Sequence, residues 1–145
     1  MKISDILKHK PDHSGADVVT IAPEARVSEL IALLARHRIG ALMVIEDGSV
    51  AGIVSERDVV RRLNDRGAAL LEATVADIMT ATVVSCGPDD DVDSIATTMT
   101  ERRIRHMPVI EDGALVGLVS IGDVVSSRMR QLEQDRGQLE QYITG

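Results

Sequence analysis

Residues 19–62 can be written over residues 84–127 without a gap, at a shift of 65, and the two segments are then identical at 16 of 44 positions. Chance at this composition would give only a few matches, so the chain carries an internal duplication. Whatever it folds into must be built from two like units. Val44-Ile45-Glu46-Asp47-Gly48 lies over Val109-Ile110-Glu111-Asp112-Gly113. Gly52, Val54 and Ser55 lie over Gly117, Val119 and Ser120, and Asp58-Val59-Val60 lies over Asp123-Val124-Val125. Further upstream, Ile3-Ser4-Asp5-Ile6-Leu7 resembles Val75-Ala76-Asp77-Ile78-Met79 at a shift of 72. The first copy therefore holds about seven extra residues within Lys8–Val18, a stretch that Pro11 and Gly15 mark as a loop.

Each copy has the same internal rhythm. A short strand (Val18 to Ile21; Val83 to Cys86) leads to a proline-marked turn. Val27, Leu30, Ile31 and Leu34, matched by Val92, Ile95 and Met99, then recur at helical spacing. Two apolar runs flank an Asp-Gly pair in each copy, the signal of a hairpin. A second helix starts near Ser55 and near Ser120. The unit reads β-α-β-β-α, an α+β design. One such unit cannot cover its own sheet, so the two are expected to pack sheet to sheet as one pseudo-twofold module. The expected divisions are 2–66, 73–127 and a helical extension over 128–145.

Composition narrows what the module can bind. With no Trp, no Phe and one Tyr, the core must be aliphatic, and a bound base must sit between aliphatic side chains and backbone. That counts against single-stranded nucleic acid, which is held by aromatic stacking. A net charge of −7 and a pI near 5.0 also argue against neutralising a phosphate backbone in bulk. The lone Cys86 excludes an internal disulfide and reads as a buried thiol. Apolar runs fall short of the roughly 20 residues that span a bilayer, and Met1–Leu7 lacks an apolar signal core, so a cytoplasmic protein with no membrane role is expected. The four histidines (9, 13, 37 and 106) form no convincing metal set, and His9 and His13 read as loop residues.

Gly52-Ile53-Val54-Ser55-Glu56-Arg57-Asp58 and its counterpart from Gly117 to Asp123 place Ser-x-x-Asp where a strand passes into a helix. Unpaired N–H groups at such a helix start attract phosphate, and a carboxylate there suits ribose hydroxyls. The same spacing also makes a capping box, a purely structural arrangement, and either role satisfies the pattern. A second pattern is basic: Arg36-His37-Arg38 in the first copy and Arg102-Arg103-Ile104-Arg105-His106 in the second. Such runs commonly end helices. In an acidic chain, beside the repeated motifs, they are also the candidates for phosphate contact.

The tandem β-α-β-β-α order, the string Gly-Ile-Val-Ser-Glu-Arg-Asp-Val-Val (52–60) and Arg-His-Met-Pro-Val-Ile (105–110) resemble the CBS-domain family over about residues 2–127. That resemblance implies a disc-shaped pair of repeats, a Bateman module, whose clefts take adenosine derivatives such as AMP, ADP, ATP, NAD or S-adenosylmethionine. It implies Asp58 and Asp123 on the ribose, with Ser55 and Ser120 near ribose or phosphate. Thr20, Ile39, Gly40, Ala41 and Arg57 are the other ligand positions implied in the first copy. Thr80, Ser85, Ile104, Arg105, His106, Pro108 and Gly122 are those of the linker and second copy. Gly40-Ala41 stands where the second copy has Arg105-His106, and Arg57 stands opposite Gly122, so the two clefts are chemically unequal. Sequence alone does not rank them.

Past the repeat, Val125, Met129, Leu132, Leu139 and Ile143 make a short heptad-like stripe broken by Arg136 at the seam and weakened by Gly137. It reads as a dimer contact or as a helix lying on its own module. The expected function is a regulatory sensor of an adenine nucleotide, acting as a homodimer on a separate regulated protein, with no cofactor and no chemistry of its own. The competing reading is a structural dimerisation adaptor with vacant clefts. An enzyme finds no support in any Ser-His-Asp, zinc or phosphate-loop pattern.

Overall fold

Helix α1 (Ile3–Lys8) opens a computed structural model that describes residues 1–9 and 18–144. The expected loop, with Pro11, His13 and Gly15, falls mostly outside the described residues. The first repeat runs β1 (Thr20–Ile21), α2 (Val27–His37), β2 (Ala41–Glu46), β3 (Ser49–Ser55) and α3 (Glu56–Arg66), followed by a 3-10 stretch, Gly67–Glu72. The second runs α4 (Val75–Ile78), α5 (Val92–Arg102), β4 (His106–Glu111), β5 (Ala114–Ser120) and α6 (Ile121–Thr144).

The repeats match down to their irregularities. In both hairpins the Asp-Gly pair takes positive φ at both residues (Asp47 51°, Gly48 77°; Asp112 51°, Gly113 78°), the turn whose twist suits antiparallel strands. A bulge falls between Val44 and Ile45 and again between Val109 and Ile110. Helices α2 and α5 both end on a left-handed arginine, Arg38 and Arg103. One element is shorter than expected. The opening strand of the first repeat keeps only Thr20–Ile21, and Val83–Cys86 is reduced to one bridge, Cys86 to Val109. The physical reason is that residues 80–86 serve two sheets. Thr80 bonds Ile53 at the edge of the first, and Cys86 exchanges bonds with Pro108 and Ile110 of the second.

Strands β2 and β4 are buried on both faces. Leu42 and Val44 point into one core, while Ala41 and Met43, also buried, point the other way. In β4, Met107 and Val109 line the second core and Pro108 is buried on the opposite side. Opposite faces buried in each sheet are what sheet-to-sheet packing requires. The two cores exchange their leading helices. Val75 and Ile78 of α4 lie in the first core with Leu30, Val54 and Leu70, and Ile3 and Ile6 of α1 lie in the second with Val92, Met99 and Val119. The backbone repeats the exchange: Ile3 and Ser4 donate to Asp90 and Pro88, while Val75 and Ala76 donate to Ala25 and Pro23.

Two glycines admit this close docking. A Cβ at Gly52 would lie 2.7 Å from the Thr80 carbonyl oxygen and 2.9 Å from Met79 Sδ. At Gly117 it would meet Leu7 Cδ2 at 2.7 Å, the end of a flexible side chain. Gly52→Ala is therefore expected to cost about 1–3 kcal/mol, the range for overpacking, and Gly117→Ala less. Urea unfolding of the two variants checks the order.

Candidate functional site

Helix α3 begins at Ser55 because its cap is complete. Ser55 N–H and Oγ–H donate to Asp58 Oδ2 at 2.8 and 3.1 Å, and Asp58 N–H donates to Ser55 Oγ at 3.4 Å. The capping-box role of the motif is thus real in both copies, since Ser120 N–H donates to Asp123 Oδ2 and Asp123 N–H to Ser120 Oγ. It does not exhaust Asp58. The cap uses Oδ2 and, among the described residues, leaves Oδ1 available to a guest on a half-buried carboxylate.

Directly beside this helix start lies a cleft of about 200 Å³. Its floor and one wall come from the first repeat: Gly40, Ile53, Ser55, Glu56, Arg57, Asp58 and Arg61. The facing wall is Arg103, Ile104, Arg105 and His106, where α5 hands over to β4. Thr80, Thr82, Val83 and Val84, on the segment crossing between the sheets, close the third side. Gly40 is the tightest point: a Cβ there would lie 3.4 Å from both Glu56 Oε1 and the His106 ring.

Charge in the cleft is lopsided. Arg57 and Arg61 sit one helical turn apart on α3 and face Arg103 and Arg105 across the gap. Among the described residues none of these four guanidinium groups enters an ion pair. Four cations against the carboxylates of Glu56 and Asp58 make this a positive site on a chain of net charge −7. The remaining lining is aliphatic: Ile53, Val83, Val84 and Ile104.

A family model for the CBS domain matches residues 3–65 and again residues 75–130. The chain belongs to the CBS-domain family. Among its relatives, the CBS domain-containing protein CBSX3, mitochondrial, of Arabidopsis thaliana is 33% identical over 148 residues, covering 99% of this chain and 72% of that protein. The crystal structure of the CBS-domain containing protein ATU1752 from Agrobacterium tumefaciens superposes with a TM-score of 0.83 at 41% identity, over 88% of this chain and 99% of the other. The CBS domain pair of protein MJ0100, solved in complex with 5′-methylthioadenosine and S-adenosyl-L-methionine, superposes at 0.72 with 26% identity over 92% of this chain and 98% of the other.

Of the positions singled out in the sequence of this CBS pair, Gly40, Ser55, Arg57, Asp58, Thr80, Ile104, Arg105 and His106 come together in the one cleft. Thr20 opens β1, Ile39 packs against the first core, Ser85 is exposed, and Ala41 and Pro108 are buried in their strands. Ser120 and Asp123 cap α6, and Gly122 lies in its first turn. The residues matching Thr80 to Thr82 at the shift of 65 are 15–17, outside the described residues. Arg103, from the basic run read as a phosphate candidate, lines the cleft too, whereas sequence reasoning missed Arg61, Glu56, Thr82, Val83, Val84 and Ile53 as lining. Arg61 alone carried a signal, its four-residue spacing from Arg57 on one helix face.

Cys86 is removed from this chemistry. It is 6% exposed and its Sγ–H points to the Pro108 carbonyl at 3.7 Å. Burial, with a smaller contribution from Asp90, pushes the thiol up to about 11, so it is neutral near pH 7. Among the described residues no His, Cys, Asp and Glu cluster could hold a metal ion, and no helix is long and apolar enough to cross a membrane.

Proposed function

We propose that this CBS pair is a cytoplasmic regulatory sensor whose cleft between Ser55–Arg61 and Arg103–His106 takes a phosphate-bearing adenosine ligand. The observation that carries the reading is the set of four arginines that find no ion-pair partner among the described residues, gathered beside a capped helix start in an otherwise acidic chain. Phosphates lie between Arg57, Arg61, Arg103 and Arg105, where the N-terminal end of α3 adds its dipole. The ribose hydroxyls donate to Asp58 Oδ1. The adenine lies among Ile53, Val83, Val84 and Ile104, with backbone groups on its edge. None of these groups forms a nucleophile–base pair, so the ligand is bound and not transformed. The relative solved with S-adenosyl-L-methionine supports an adenosine-class guest. The arginines favour an anionic one.

A thermal-shift screen with AMP, ADP, ATP, NAD and S-adenosylmethionine tests this directly. A ligand at 100 times its Kd stabilises by about 2.7 kcal/mol. The expected order puts the phosphorylated ligands above S-adenosylmethionine. No shift with any of the five would leave the structural adaptor as the reading.

The signal passes to a regulated protein through a homodimer. Val60 and Leu63 on α3, and Val125 and Met129 on α6, are 47–66% exposed, and Val60 and Val125 are matched positions of the repeat. Such an apolar surface is a partner surface. A chain ending at Arg128, which retains the buried Ser127, is expected to self-associate more weakly than the full chain in sedimentation. An unchanged dimer would confine the interface to the repeat helices.

A further inference from the structure

We propose that the outer part of α6, from Val125 to Ile143, pairs with the same segment of a second copy as a parallel, in-register two-stranded coiled coil in which Arg136 sets the register. The proposal rests on the homodimer reading and deepens it.

Helix α6 is 24 residues long, about 36 Å at the ordinary rise, yet its last buried residue is Ser127. The tail therefore leaves its own module, which answers one of the two readings of its stripe: this helix does not lie on the repeats. Its apolar side chains are left open to water. Met129, Leu132, Leu139 and Ile143 are 59–80% exposed. A projecting helix of this length, with Gly137 inside it, is marginal in water without a partner.

The spacing says what the partner is. Met129, Arg136 and Ile143 fall at one seam position of a heptad, and Val125, Leu132 and Leu139 at the other. Glu133 and Glu140 flank the seam on one side, and Asp135 borders Arg136 on the other. Arg136 Nε already meets Glu140 Oε1 at 3.1 Å on its own helix. Parallel, in-register pairing sets Arg128 of each copy against Glu133 of the other, and puts both Arg136 side chains in one layer between Asp135 of one copy and Glu140 of the other, whose like charges they separate. Two cations are then bounded by four carboxylates. An antiparallel pair sets the flanking edge that carries Glu133 and Glu140 against its own copy, like charge against like. A slip of one heptad sets Arg136 against Met129 or Ile143 of the second copy, a charge against apolar groups that offer it no partner across the seam. The complement of this face is the face itself.

The test uses the full chain. Under mild oxidation Leu139→Cys is expected to form a covalent dimer, because its position lies opposite itself across a parallel seam, whereas Gln138→Cys on the outer face does not. The buried Cys86 leaves the parent as a clean control. Arg136→Leu is expected to lower the dimer dissociation constant at least tenfold by replacing a charged layer with an apolar one. Failure of Leu139→Cys to cross-link while sedimentation still shows a dimer would overturn the coil and leave the dimer reading standing. A looser dimer with Arg136→Leu would also overturn the coil. A full-length monomer at all accessible concentrations would overturn both.

Discussion

Asp58→Ala is expected to weaken adenine-nucleotide binding by roughly 10- to 150-fold, the equivalent of about 1.5–3 kcal/mol for a hydrogen bond to a charged group. Asp123→Ala is expected to leave affinity at the Arg105 cleft near the parent value. The two aspartates are otherwise alike. Each accepts the N–H of the serine three residues before it, at 2.8 Å in both copies. Each substitution should therefore cost about 1 kcal/mol of stability through the lost cap. Stability and affinity then separate the structural role, which the copies share, from the binding role proposed for Asp58. Calorimetry and urea unfolding on both variants make the comparison. If Asp58→Ala binds like the parent, the ribose assignment fails even though the cap remains.

The second large effect concerns phosphate. Arg105→Ala is expected to weaken ATP by about tenfold or more, the scale of one charge-assisted hydrogen bond, while leaving adenosine nearly unchanged. Arg57→Ala should behave the same way from the opposite wall. Because all four arginines are exposed, added salt should erode ATP affinity and spare adenosine. His106 shares the wall with Arg105, so its ring can add a hydrogen bond toward phosphate. Calorimetry with adenosine and ATP side by side decides the matter. Equal losses for both ligands on Arg105→Ala would mean that the side chain supports the wall and does not read phosphate.

What was legible in the chain was local and periodic. The 65-residue shift gave away the duplication, Asp47-Gly48 and Asp112-Gly113 the hairpin turns, and Ser55 and Ser120 the helix starts. Each of these follows from backbone preferences within a few residues or from apolar periodicity, and so survives in one dimension. The inequality of the copies was legible too, as Arg57 against Gly122 and Arg105-His106 against Gly40-Ala41.

Only the tertiary structure decided what that inequality does. The cleft takes its helix start from one repeat and its basic wall from the other, because the packing that buries both sheets sets the start of α3 across from the start of β4. Arg57 and Arg61 of the first copy therefore meet Arg103 and Arg105 of the second, and the cations that the sequence spreads over two repeats collect in one site. The same exchange sends α1 into the second core and takes Val83 and Val84 out of the expected strand and into the cleft wall. No spacing along the chain encodes this. Burial of the apolar faces of two sheets and two leading helices decides it, and that is a property of the assembled module.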